Sequence, residues 1–163
     1  MANKPMTHEI REKIKHYTKN RIDISDVIEG IDIKGEDLRD TIINRFNRVS
    51  DNISGAKFSR AIIGTPTSIT NLSGTKMINC MFDDTQFIGT VFMRSCNCRD
   101  SVFSGALMHN LQYQNTDFRG CKFCETAIRL GTTYSVGSKF SKDVFQDLAK
   151  MWHLKIEVQD EKD

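Results

Sequence analysis

Bulky apolar residues recur at every fifth position through the middle of this chain. From Leu72 the series runs through Met77, Phe82, Phe87 and Phe92, shifts by one residue, and continues with Cys98, Phe103, Met108, Tyr113, Phe118, Phe123 and Ile128. A small residue stands two positions before each centre: Thr70, Thr75, Cys80, Thr85, Thr90, Cys96, Ser101, Ala106, Thr116, Cys121 and Thr126, with Leu111 as the exception. Upstream, Ile53, Phe58 and Ile63 keep the beat with Asp51, Ala56 and Ala61, and Ile33, Leu38 and Ile43 keep it more loosely. A helix repeats at about 3.6 residues and a strand at two, so a period of five points to internal repetition.

The pattern resembles the pentapeptide-repeat family, whose consensus is a small residue, Asp or Asn, Leu or Phe, and two polar residues. TDFRG at 116–120 and AKFSR at 56–60 are good copies, and CKFCE at 121–125 is a fair one. The resemblance covers roughly residues 33–128. It divides the chain into an N-terminal helix and lead-in (1–32), a repeat region (33–128) and a C-terminal cap of helix plus short strand (129–163). The fold it implies is an all-β solenoid: a right-handed quadrilateral β-helix of about five coils, four pentads to a coil, with capping helices at both ends. Centre and small residue then face inward, and the narrow section admits one bulky member of each pair.

Four pentads per coil would stack every fourth centre. The expected columns are Ile33, Ile53, Leu72, Phe92 and Tyr113; Leu38, Phe58, Met77, Cys98 and Phe118; and Ile43, Ile63, Phe82, Phe103 and Phe123. The fourth ends Phe87, Met108, Ile128 and begins badly, with Arg48 or Val49 at its first level and GTPTS (64–68) at its second. Loops or bulges are expected at both places, and Pro66 suits the second. Phe82, Phe103 and Phe123 are the expected core stack.

The CNC at Cys96–Cys98 and the CKFC at Cys121–Cys124 invite a zinc reading, since paired thiolates at short spacing are common zinc ligands. The repeat accounts for four of the five cysteines without a metal. Cys80, Cys96 and Cys121 fall on the small inward position and Cys98 on a centre, which leaves only Cys124 facing outward. Cys80 and Cys121 stand two coils apart, about 9–10 Å at strand spacing, too far for a disulfide. No metal and no cofactor are expected. His8, His16, His109 and His153 are scattered, Asp83-Asp84 reads as an exposed corner, and no glycine-rich phosphate loop appears, so no catalytic residue is assigned.

Charge is balanced regionally as well as in total, 23 Lys and Arg against 21 Asp and Glu. Residues 1–32 carry six of each sign, 33–128 eleven basic and nine acidic, and 129–163 six of each. Nothing resembles a basic arm or acidic tail, which argues against nucleic acid as a partner. The N-terminus lacks the apolar stretch of a signal peptide, no run reaches membrane-spanning length, and five cysteines then suit a reducing cytosol.

A solenoid needs its open ends covered. Met6, Ile10, Ile14 and Tyr17 follow helical spacing over about 7–19. Ser141 can cap a helix bearing Val144, Phe145, Leu148, Met151 and Trp152 on one stripe, and LKIEV (154–158) alternates as a half-buried strand does. The expected function is a non-enzymatic protein-interaction or assembly module, with the C-terminal segment (Phe145, Leu148, Trp152) as cap and homodimer contact. Arg94, Arg99, Arg119 and Lys122 are candidate exterior contacts. The alternative that the resemblance implies is protection of a type II topoisomerase (gyrase) by mimicry of duplex DNA, an activity carried in that family by acidic rods.

Overall fold

Two residues after almost every repeat centre the backbone turns left-handed, and this rule shapes the molecule. The computed structural model describes residues 3–123, 127–128, 138–144 and 146. Positive φ angles occur at Asp40, Ser50, Arg60, Asn79, Asp84, Ser95, Asp100 and Asn115, and at glycines such as Gly55 and Gly105. The N–H one residue further on closes each turn onto the carbonyl of the centre: Ala61 N to Phe58 O at 2.9 Å, Thr85 N to Phe82 O at 3.1 Å, Ala106 N to Phe103 O at 3.0 Å. A turn with a left-handed third residue favours Gly, Asn and Asp, the types that crowd this position. Each pentad is thus one inward centre and one corner.

Successive corners bring the chain back parallel to itself, and the result is a β-solenoid. Its strands are β1 (Ile42–Ile43), β2 (Ile62–Ile63), β3 (Ile69–Asn71), β4 (Gln86–Arg94), β5 (Leu107–Gln114) and β6 (Ala127–Ile128). All pair in parallel, in the order β1-β2-β4-β5-β6, with β3 beside β4. Single-residue bridges such as Lys57 to Met81 to Val102 to Lys122, and Lys76 to Asn97 to Asp117 to Lys139, carry the same pairing around the other faces. Each inward residue therefore lies over its counterpart one level away, and the centres form four buried columns.

All four columns differ from the expected register at their upstream ends. Ile63 and Leu72 occupy neighbouring faces, joined by one long corner, not two pentads. Asn47 pairs with Asn71, so Arg48, not Ile53, lies beneath Leu72; Asn52 pairs with Lys76, which puts Ile53 beneath Met77. Phe58 accordingly lies beneath Phe82, and Ile63 beneath Phe87. GTPTS (64–68) does form a loop, but Arg48 does not: it holds a regular inward position with Ser50 at φ 57° after it. A second correction concerns Phe92. Asn71, Phe92 and Gln112 are ladder partners, so Met93 is the inward residue between Leu72 and Tyr113, while Phe92 is only half-buried. The extra residue lies at the bulge between Phe87 and Thr90, upstream of Met93.

The loop fits tightly. Gly64 (φ 92°) and Gly89 (φ 83°) face each other across it, and a Cβ would lie 2.2 Å from Ile88 O at the first and 2.4 Å from Thr65 O at the second. Only glycine permits such an approach.

At the N-terminal end α1 spans His8–Lys19. Thr7 Oγ1 accepts from Ile10 N at 3.2 Å, and Asn20 Nδ2 donates back to His16 O at 2.8 Å, so both ends of the helix are closed. Its apolar stripe meets the core through buried Ile14, with Met6, Ile10 and Tyr17 packed beside it, and Arg11 pairs with Glu36 at 2.6 Å. A four-residue α2 (Ser25–Ile28) follows. The ladder already begins here, since Asp23 pairs with Ile42 and Lys4 pairs with Ile31.

Candidate interaction surface

The interior is filled, which directs attention outward. Phe58, Phe82, Phe103 and Phe123 form one stack with centroid separations of 5.0, 5.1 and 5.2 Å and interplanar angles of 7° or less. Phe118 and Phe140 stack at 5.3 Å in the neighbouring column. Large rings fit because the partner position is small, and the small residues have a second task. Thr85 Oγ1 donates to Phe58 O at 2.7 Å, Cys80 Sγ to Ile53 O at 3.1 Å, Cys96 Sγ to Leu72 O at 2.7 Å and Cys121 Sγ to Cys98 O at 2.9 Å. Thr75, Ser101 and Thr116 donate in the same way to Arg48, Met77 and Met93. Thiols and hydroxyls are interchangeable here, each tying a corner to the level beneath it.

Burial pushes the Cys80 and Cys121 thiols up to about 12, and it holds Cys98 well above the ordinary range. Among the described residues no three His, Cys, Asp or Glu side chains stand together as a metal site would need. Cys124 lies outside the described residues, as do Phe145, Leu148 and Trp152.

The exterior divides into two halves. On the faces over the Ile53 and Phe58 columns the outward residues include Lys57, Lys76, Arg99, Asp117, Arg119 and Lys122. Ion pairs lace this half: Arg39 with Asp37 at 2.5 Å, Arg60 with Asp40 at 2.7 Å, and Arg119 with Asp117 at 2.6 Å. Hydrogen bonds from these guanidinium groups hold all three carboxyls below the usual aspartate range. The other half, over the Ile63 and Arg48 columns, is nearly uncharged beyond its first level, where exposed Arg45 pairs with Asp26. Among the described residues, β2 to β5 carry one formal charge, Arg94, whose guanidinium lies 4.9 Å from the ring centre of Phe92. Ile69 projects from this half at 57 % exposure, and half-buried Ile62, Ile88 and Leu107 belong to the same half.

Four residues singled out from the sequence are thereby sorted. Arg99 and Arg119 are neighbours on adjacent levels, with Asp100 N donating to Arg119 O at 3.1 Å, and Lys122 lies around the next corner on the same charged half. Arg94 is separated from them on the uncharged half. Sequence reasoning missed Ile69, Ile88 and Leu107, although the charge-free runs 61–75, 85–93 and 101–116 were there to be read.

It also missed Arg48, which is 5 % exposed. Its Nη2 donates to Ile28 O at 2.7 Å and its Nη1 to Ile31 O at 2.9 Å and Asp51 Oδ2 at 3.1 Å. The guanidinium closes the carbonyl end of α2, where a pentad would otherwise present a ladder, and burial lowers its pKa from the usual arginine value. A cleft of about 280 Å³ opens beside it, lined by Ser25, Ile28, Glu29, Arg45, Phe46 and Arg48.

Comparison with known proteins finds no matching family model and no matching curated protein. Among solved structures, the chain is similar to a pentapeptide repeat protein of the Arabidopsis thaliana thylakoid lumen, at 17 % identity and a TM-score of 0.30 over 66 % of this chain. The chain spans 59 % of that protein's length. It is also similar to trypsin-treated QnrB1, a plasmid-mediated fluoroquinolone resistance protein, at 12 % identity and a TM-score of 0.27 over 77 % of this chain and 93 % of that one. No helix among the described residues is long and apolar enough to cross a membrane. Centres every five residues, a corner after almost every one and four columns of stacked centres make this chain a β-solenoid of five-residue units, the fold that its resemblance to pentapeptide-repeat proteins implies.

Proposed function

We propose that the chain is a non-enzymatic interaction or assembly module, a rigid rod that presents side faces to protein partners. The observation that carries this reading is the division of the exterior into a charged and an uncharged half over a core already filled by its own side chains. A ladder of parallel backbone hydrogen bonds fixes the spacing of outward residues at about 4.8 Å per level, so the rod offers a preorganised surface with little to lose in order on binding. The four described cysteines are free thiols, which suits the cytosol. Arg99, Arg119 and Lys122 on the charged half speak against mimicry of duplex DNA, which asks for carboxylates there.

Cross-linking in cells through lysine, followed by mass spectrometry, tests the reading. Links from Lys57, Lys76 or Lys122 to other polypeptides are expected. Links confined to the chain itself, across several growth conditions, would count against a module of this kind.

A further inference from the structure

We propose that the hollow between Lys34 and Lys76, on the face over the Ile53 column, receives the carboxylates of an acidic segment of a partner protein. The inference rests on the reading of the chain as an interaction module, and it gives that module a site and a partner chemistry.

The repeat builds the hollow. Gly35 N donates to Ser54 O at 3.0 Å and Gly55 N to Ile78 O at 2.9 Å, so Lys34, Ser54 and Ile78 stand on three successive levels of one corner. The residues that follow them are Gly35, Gly55 and Asn79, and a Cβ on Gly55 would lie 3.6 Å from Gly35 Cα. The Ser54 hydroxyl is turned into the ladder, where it accepts from Ile78 N at 3.2 Å. Two stacked glycines and a short serine leave room where later levels carry Asn79, Arg99 and Asp100. The space is an open hollow of about 320 Å³, with Lys34, Asn52, Lys76 and Asn79 around Gly55.

Charge names the occupant. Arg39, Arg60 and Arg119 each pair with an aspartate, but Lys34 and Lys76 have no ion pair among the described residues. No Asp or Glu lines the hollow. Asp32, in the pentad of Lys34, accepts from Lys34 N at 3.0 Å and closes its own turn. Asn52 Oδ1 likewise accepts from Ser54 N at 3.2 Å, which leaves its Nδ2 to donate. Two ammonium groups and an amide around one concave site are complementary to an anion.

A polypeptide carboxylate fits this site better than a phosphate backbone does. Asp100 and Asp117 stand on the levels above. A nucleic-acid strand, with a charge about every 3.4 Å, would meet them. No aromatic side chain lines the hollow for a base to stack on. Separate acidic side chains can reach Lys34 and Lys76 and avoid both aspartates.

Fluorescence anisotropy of a dye-labelled glutamate–glycine peptide, titrated with the full chain in low salt, tests this. Saturable binding that weakens as salt is raised is expected. Lys34→Gln together with Lys76→Gln should weaken it by about fivefold or more, the worth of two exposed ion pairs. Both lysines are exposed, so their substitution leaves the core intact. Lys19→Gln with Lys122→Gln removes equal charge elsewhere and should leave binding unchanged. Absence of binding at submillimolar protein overturns the proposal. So does an equal loss in the two double variants, or tighter binding of a labelled single-stranded DNA of the same charge. None of these results touches the module reading, which stands or falls on cross-links to other polypeptides.

Discussion

Thr85 donates its hydroxyl hydrogen to the carbonyl oxygen of Phe58, 2.7 Å away and 27 residues earlier in the chain. The same small position at Thr70 holds a buried hydroxyl with no partner. The long corner between Ile63 and Leu72 breaks the geometry that serves Thr85. Two substitutions of one kind should therefore differ. Thr85→Val is expected to lower stability by about 0.5–1.5 kcal/mol, the net worth of one hydrogen bond, while Thr70→Val should be neutral or stabilising. Equal losses in urea denaturation of the two variants would contradict this account of the small position.

The stack from Phe58 to Phe123 supports a prediction about its middle. Phe103 is fully buried between Phe82 and Phe123. Phe103→Ala should destabilise by about 3–5 kcal/mol, since adjacent levels are held by ladder bonds and cannot collapse into the space. A shift in denaturation midpoint no larger than that of a surface variant would refute the stacking.

Arg48 should behave as a keystone of the N-terminal end. Arg48→Met keeps much of the volume but leaves Ile31 O without its donor, at about 1–3 kcal/mol for a buried group, while Ile28 O loses one of two donors and keeps Ile31 N at 3.1 Å. Asp51→Asn should cost less, because the guanidinium keeps both carbonyls. Hydrogen exchange would read both: protection is expected to fall first in α2 and around Ile31, with β4 and β5 unaffected.

Thiol chemistry gives a fourth test. Cys80 and Cys121, with pKa values pushed up to about 12, remain protonated at neutral pH, and the thiolate is the reactive form. A maleimide reagent should label Cys80, Cys96, Cys98 and Cys121 only after denaturant is added, and Cys124, outward by the repeat register, should react first. Rapid native labelling of Cys121 would show that the coil end is open.

Acid stability follows from the aspartates on the charged half. Asp37, Asp40 and Asp117 have folded pKa values below the unfolded value of about 3.9. Their contribution is present above the unfolded pKa and is lost as pH falls through the folded values. The urea midpoint should stay level from neutral pH to about 5 on their account and decline below about 4, modestly, because these pairs are largely solvent-exposed. Asp117→Asn should flatten the decline, and an unchanged acid limb would assign it to other carboxyls.

The sequence by itself determined the unit of this protein. A bulky centre, a small partner two positions earlier, and turn-forming residues such as Gly, Asn and Asp two positions later are local chemistry, and they specify inward packing and a corner wherever they recur. Most of the downstream columns were legible for that reason, including Phe82 over Phe103 over Phe123. The tertiary structure decided which centres meet upstream. A nine-residue step from Ile63 to Leu72 reads equally well as one corner or two, and the choice is made by ladder hydrogen bonds between distant segments and by the Gly64–Gly89 contact. That choice moves Phe58 beneath Phe82 and buries Arg48 beneath Leu72. The bulge at Gly89 turns Met93 inward in place of Phe92 by the same kind of long-range bond. The two-sided exterior is tertiary as well: charge-free runs are visible in the chain, but only coiling brings 62–71, 86–93 and 107–114 onto one half of the rod.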